Sequence, residues 1–321
     1  MRRRGASAQR SKAAAAAAPG NLAPEEFTPV YRLVTSTELP PWYTRAPYVD
    51  TGYRRCATLH SCTCSIFKLH NESVNIWLHL PVSFLLIPYL LLVLRVMGLL
   101  HNGFSTDLGV VFVSVLVGNV STLLLSGICH TYYCLSQRAH NICWFIDFVG
   151  LHTGILGGGI GIAHFSFKCH DSLYVAYFTT MAVLYPTLIW YTWRKFWAHV
   201  GTLPLNPIDG FPEFILPLAV FNFFSWIAVL AVDKAYLPKF RSDPMYIKAW
   251  NTAAACPVLL VVGSLIQYFN IPERFVRRGA TDIWGHSHQL WHVCGMVLMF
   301  VWIHAISLCY EANLYSPCTP R

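Results

Sequence analysis

The stretch GHSHQLWH, residues 285–292, sets His288 and His292 four positions apart at the start of a long apolar run. On a helix that spacing places two imidazoles on one face, one turn apart, where both can reach a single metal ion. In a chain with 14 histidines the pair alone is a weak signal. Its place adds weight, because ionisable groups inside membrane spans usually face the bundle interior and serve function. His130 closes the segment SGICH, one turn after Ser126, and Asp147 stands in CWFIDFVG. Three imidazoles with an open fourth position make up a catalytic zinc site, in which bound water is acidified towards neutral pH. Nitrogen donors favour zinc over magnesium or calcium. Asp147 would then hold that water or take its proton, with Ser126 beside it. The same residues also read as hydrogen-bonding glue between helices, and residue chemistry alone leaves both readings open. Glu72, Asn75 and His79 form one face at i, i+3 and i+7 near the start of the first apolar run. His286 points about 160° away from His288 on a helix, which excludes it from the pair unless the helix starts later. His152, His164 and His304 read as packing or pore-lining residues.

The elements that must position these groups are membrane helices. Of the 321 residues 55% are hydrophobic and 12% charged, half the charged fraction of an ordinary soluble protein. Seven runs are long enough to cross the hydrocarbon core as helices: 76–98, 108–133, 142–164, 172–193, 213–232, 246–269 and 287–309. Gly157-Gly158-Gly159 interrupts the third. The expected fold is an all-α membrane protein of seven transmembrane helices. Most Lys and Arg residues fall on one side: those of residues 1–70, then Arg138, Arg194, Lys195, Arg274, Arg277 and Arg278. By the positive-inside rule that side is cytosolic, so the N-terminus is expected in the cytosol and the C-terminus across the membrane. This is the reverse of G-protein-coupled receptors. Independently of that count, His130, Asp147, His288 and His292 all come out on the cytosolic side. The net charge of +8 then fits contact with anionic lipid heads, and no nucleic-acid partner is expected.

Three parts are expected along the chain: a cytosolic segment 1–70, a membrane domain 71–310 and a short luminal or extracellular tail 311–321. Within the first, residues 1–24 read as disordered, since six alanines at 13–18 are too weakly apolar for the core of a signal peptide. Residues 25–55 show no clear period, and 58–70 read as a short amphipathic helix at the interface. Cys62-x-Cys64 reads as a pair of small interfacial residues before a metal or palmitoylation site, and the remaining cysteines as reduced thiols. Asn71-Glu72-Ser73 matches a glycosylation sequon but falls on the cytosolic side. Nothing suggests the repeated halves of a transporter.

NESVNIWLH (71–79), S-x-x-x-H ending at His130, Asp147 seventeen residues later, and IPERF followed by GHSHQLWH (271–292) together resemble the progestin and adipoQ receptor family. The resemblance runs from about residue 50 to 310. It implies an adiponectin-receptor-like bundle, receptor-like signalling, and one zinc ion held by His130, His288 and His292. Asp147 would contact the zinc-bound water with Ser126 near it, and Glu72, Asn75 and His79 would support the site. Some members are linked to ceramide hydrolysis, which implies a zinc-dependent lipid amidase releasing a fatty acid and a sphingoid base. YVDTGYRR (48–55) and LHNESVNIWLH (69–79) are most similar to a Golgi member that traps Raf kinase. That likeness implies a second reading: a Golgi tether that binds the kinase through residues 1–70, with zinc structural and the plasma membrane as the alternative address. The loop PERFVRRGATD departs from the family's usual Pro-Gly continuation, without touching the ligand positions.

Overall fold

The computed structural model describes residues 31–101, 105–198 and 244–315, together with Val220. Six helices among these are long and apolar enough to cross a membrane. With the short helix α1 (Leu59–Ser65) before them, they are α2 (Ser73–Val96), α3 (Thr106–Tyr132), α4 (Gln137–Phe167), α5 (Asp171–Ala198), α6 (Pro244–Phe269) and α7 (Ser287–Tyr315). They correspond to six of the seven apolar runs. The run 213–232 lies outside the described residues apart from Val220, as do residues 1–24. α7 continues to Tyr315, past the boundary expected at 310.

Local chemistry sets the helix starts. The Ser105 side chain accepts from the Leu108 amide and the Ser136 side chain from the Ala139 amide, satisfying donors that no preceding turn can reach. Pro81, Pro88 and Pro257 stand inside α2 and α6, as membrane helices tolerate. In α3 the residues Val113–Val120 are wound more widely, as a π-helix.

The three glycines expected to interrupt the third run do not break α4, which is helical throughout. Gly157 and Gly158 serve packing instead, as does Gly161 one turn on. A Cβ on Gly157 would lie 2.7 Å from both the Cα of Gly118 and the carbonyl oxygen of Ser114, on α3. One on Gly158 would lie 2.4 Å from the Trp302 ring of α7, and one on Gly161 2.5 Å from Ile306. Lipid supplies no hydrophobic drive between helices, so close backbone approach through small residues takes its place. One turn nearer the site, the Thr122 hydroxyl is 2.6 Å from the Gly150 carbonyl across the same seam.

The fold is not entirely helical. Arg32–Val34 (β1) pairs antiparallel with Tyr53–Arg55 (β2), with Val34 opposite Tyr53. The loop between them buries Leu39, Tyr43 and Val49 and closes one end of the bundle. Asp282, after α6, accepts from the amides of Asp50 (3.2 Å) and Thr51 (2.8 Å) and from the Thr51 hydroxyl (2.6 Å). Thr44 Oγ1 lies 2.8 Å from His140 Nε2 on α4. Three-residue strands carry too little alternation to be read from sequence, which is why this cap escapes periodicity.

Gly157→Ala forces a Cβ against backbone atoms that cannot rotate away, and should destabilise the bundle by about 1–3 kcal/mol. Gly295→Ala, with open space around its Cβ, should cost nothing. Thermal unfolding of both variants in detergent checks the contrast.

Candidate metal centre

α3 brings His130 to its end at the capped face, and α7 begins at that face with His288 and His292. Each of the three offers one ring nitrogen, and these nitrogens lie within 4.8 Å of one another. The His288 and His292 Nε2 atoms are 3.1 Å apart, as the i, i+4 spacing requires. The His130 ring meets both, with centroids at 5.2 Å from His288 and 4.8 Å from His292.

Glu72, the residue before α2, orients His130. Its Oε2 accepts from His130 Nδ1 at 2.7 Å and from Asn75 Nδ2 at 2.7 Å, and its Oε1 accepts from the Tyr133 hydroxyl at 3.0 Å. Burial alone would raise the Glu72 carboxyl pKa. The neighbouring His130 outweighs burial and holds it well below the usual carboxylate range. With Nδ1 donating to this carboxylate, Nε2 of His130 presents its lone pair. That atom is buried without a hydrogen-bond partner. A buried nitrogen acceptor left open beside two further imidazoles is what a metal ion would satisfy, and an all-nitrogen donor set fits zinc.

Asp147 of α4 places its Oδ2 3.9 Å from His130 Nε2, and Ser126 lies on the His130 face of α3, also buried. Both line a cavity of about 900 Å³ that also reaches His288 and His292. Its walls away from the histidines are apolar, built from Leu151, Pro257, Val261, Leu265 and Met299 among others. A polar end and an apolar interior suit one small amphipathic ligand.

The residues around the histidines act as braces. Glu273 accepts from the Ser287 amide at 2.7 Å and from its hydroxyl, placing a carboxylate on the amino end of α7, where the helix dipole favours it. Gln289 donates to the carbonyls of Asn71 (3.0 Å) and Ile283 (2.8 Å) and accepts from the Gly285 amide (2.6 Å). His286, just ahead of α7, reaches the Asn71 carbonyl at 3.1 Å and stays outside the triad. Asn71 is therefore buried and pinned, which withdraws the sequon from any glycosylating enzyme. His79 donates from Nδ1 to the Asn75 carbonyl (2.7 Å) and sets its ring edge-on to His292, centroids 4.4 Å apart.

The other histidines stand apart. His152 bonds the Phe148 carbonyl at 2.7 Å. His164 lies between Asp107 (2.8 Å) and Tyr174 (3.0 Å) at the opposite end of the bundle, and His304 is exposed. Sequence reasoning missed Tyr133 and Arg54. Tyr133 follows α3 directly and carried no motif. Arg54 is fully buried and donates to the backbone carbonyl of His130, although it reads in sequence as one more surface cation.

A family model described as haemolysin-III related matches residues 67–304. Among curated proteins the chain is 26% identical over 284 residues to the Adiponectin receptor protein of Drosophila melanogaster, covering 88% of this chain and 60% of that one. It is 25% identical over 295 residues to the Progestin and adipoQ receptor-like protein 1 of Caenorhabditis elegans, covering 91% and 64%. It is 24% identical over 300 residues to Progestin and adipoQ receptor family member 3 of Mus musculus, covering 89% of each. The chain thus spans less than two thirds of the length of the fly and worm relatives.

Glu72→Gln keeps the shape of the brace and removes its charge. It should weaken zinc binding by about 10–100-fold, while His130→Ala abolishes it. Chelator competition on the detergent-purified chain measures both.

Proposed function

Since this chain belongs to the haemolysin-III-related family, which takes in progestin and adipoQ receptors, we propose that it is a receptor-like multi-pass membrane protein holding one zinc ion at His130, His288 and His292. We assign the adjoining cavity to a lipid amide of the ceramide class, which the protein hydrolyses. The observation that carries this reading is the unpartnered, buried Nε2 of His130, fixed by Glu72, beside the His288 and His292 that line the polar end of an apolar cavity. A zinc ion bound there supplies Lewis-acid polarisation of a carbonyl and a water acidified towards neutral pH.

The chain's own residues do the rest. Glu72 locks the tautomer of His130 and keeps Nε2 aimed at the centre. Asp147, 3.9 Å from that nitrogen, is close enough to accept a proton from water held at the centre and to return it to the amine that leaves. Ser126 supplies a hydroxyl on the same side, available to the amide oxygen or nitrogen. The apolar walls of α4 and α6 take the hydrocarbon chains and exclude bulk water, which strengthens every charge interaction at the polar end.

Orientation follows the same reading, with the capped face in the cytosol. Lys and Arg residues support it, and so does cysteine chemistry. Cys56, Cys62 and Cys134 at the capped face are free thiols, whereas Cys169 between α4 and α5, at the far end, is disulfide-bonded. Reduced and oxidised ends match cytosolic and luminal sides.

The alternative makes the zinc structural and the protein a Golgi tether for Raf kinase working through residues 1–70. It rests on the likeness of YVDTGYRR (48–55) and LHNESVNIWLH (69–79) to a Golgi member. Residues 31–70 are largely spent on covering the bundle, with Tyr43, Tyr53 and Arg54 buried there, and this favours the lipid reading.

Asp147→Asn should leave folding and zinc content intact and lower ceramide hydrolysis by about 10²–10⁴-fold. Turnover at the wild-type rate in that variant would remove Asp147 from the reaction. No turnover in zinc-loaded wild type would leave the tether.

A further inference from the structure

The capped face carries a second group of metal-ligating side chains that the lipid reading does not use. Cys56 follows β2, Cys62 lies on α1 and Cys134 stands two residues beyond α3, and their sulfurs all lie within 4.8 Å of one another. All three are buried, at 4%, 0% and 3% exposure, so they meet each other and not solvent. The Cys62 and Cys134 sulfurs are 3.8 Å apart. That is too long for a disulfide. It equals the separation of about 3.8 Å that two thiolates acquire when each binds one tetrahedral zinc ion at about 2.3 Å.

Charge points the same way. Arg54 is completely buried, yet its bonding partners are neutral: the Ser65 hydroxyl at 2.7 Å, the Thr131 carbonyl at 3.4 Å and the His130 carbonyl. Its Nε is buried with no partner at all. Thiolates close by would add negative charge to that of the Glu72 carboxylate, which also acts on this guanidinium.

We propose that Cys56, Cys62 and Cys134 form a second metal site, which takes a zinc ion and ties the N-terminal cap to the end of α3. Three thiolates, one divalent cation and the Arg54 guanidinium make an electrically neutral group. Copper(I) would leave one negative charge unbalanced, and magnesium or calcium would refuse sulfur. His70 is no ligand, because its Nε2 is engaged with the Ser65 carbonyl and its Nδ1 accepts from the Glu72 amide. Three protein donors leave a fourth position open to exchange. The site is separate from the histidine triad and shares no ligand with it. Arg54, which donates to the backbone of His130, links the two.

The experiment uses the full chain, purified in detergent under reducing, oxygen-free conditions, with cobalt(II) as the optical probe. A sulfur-to-cobalt charge-transfer band in the near ultraviolet is expected in wild type, and equally in His288→Ala/His292→Ala, whose triad is destroyed. Zinc counted by mass spectrometry should show a second ion per chain in wild type and one in that double variant. Cys62→Ser should keep the triad's zinc and lose the band. Should Cys62→Ser or the double variant fail to fold, wild type still decides, because the triad contains no sulfur. A cobalt-saturated wild type with no sulfur-to-cobalt band overturns the proposal, as does retention of the full band in folded Cys62→Ser.

Discussion

Glu72 is the charge on which the capped end of the bundle depends. An ionised carboxylate in a low-dielectric interior persists only if its lone pairs are engaged. Glu72 engages an imidazole, a side-chain amide and a phenol, drawn from α2 and α3 and from the residue just past α3. Every later feature follows from those three bonds. They turn His130 inward and leave its second nitrogen open. They also hold Tyr133 where it meets Tyr43 of the cap, hydroxyl to hydroxyl at 3.3 Å. One carboxylate thus joins the first two long helices, the histidine triad and the cap.

The helices divide their work by depth. In the middle of the bundle, Gly118 against Gly157 brings α3 and α4 to backbone contact, and Gly158 receives the Trp302 ring of α7, where packing alone can hold helices together. At the capped end the same helices are joined by polar bonds, among them Thr122 to Gly150 and Gln289 to Asn71. Close packing in the middle fixes the spacing that the polar end requires, since side-chain nitrogens meet at a few ångströms only if their backbones are held to less. The cavity stands where this close packing stops, between α4 and α6.

Much of this was legible in the sequence for one reason: a bilayer forces every polar group within a span to have a purpose. The i, i+4 spacing of His288 and His292 survives translation into structure because it is local, and apolar runs found six helices for the same reason. What could not be read is what depends on contacts distant in sequence. Arg54 has nothing local to mark it as buried. Asp282 and Glu273 look like loop acids, yet one pins the cap and the other opens α7. The glycine triple was read as an interruption because propensity speaks first, and the tertiary contact that overrides it lies on other helices. Cys62 was paired with its near neighbour Cys64, while its structural neighbours, Cys56 and Cys134, lie on other segments of the chain.

The order of the ligands along the chain has a bearing on how the protein is made. Glu72 and His130 belong to the first two long helices, His288 and His292 to the last. Chains enter the membrane from the N-terminal end, so the first imidazole is in place while the other two are still unsynthesised. The triad therefore cannot guide the insertion of the early helices. It can only record that the final one has docked, and a chain arrested before α7 would keep the Glu72–His130 pair with its open nitrogen uncovered. The histidine triad is in this sense a seal on biogenesis: it closes last, and its closure distinguishes a finished molecule from an unfinished one.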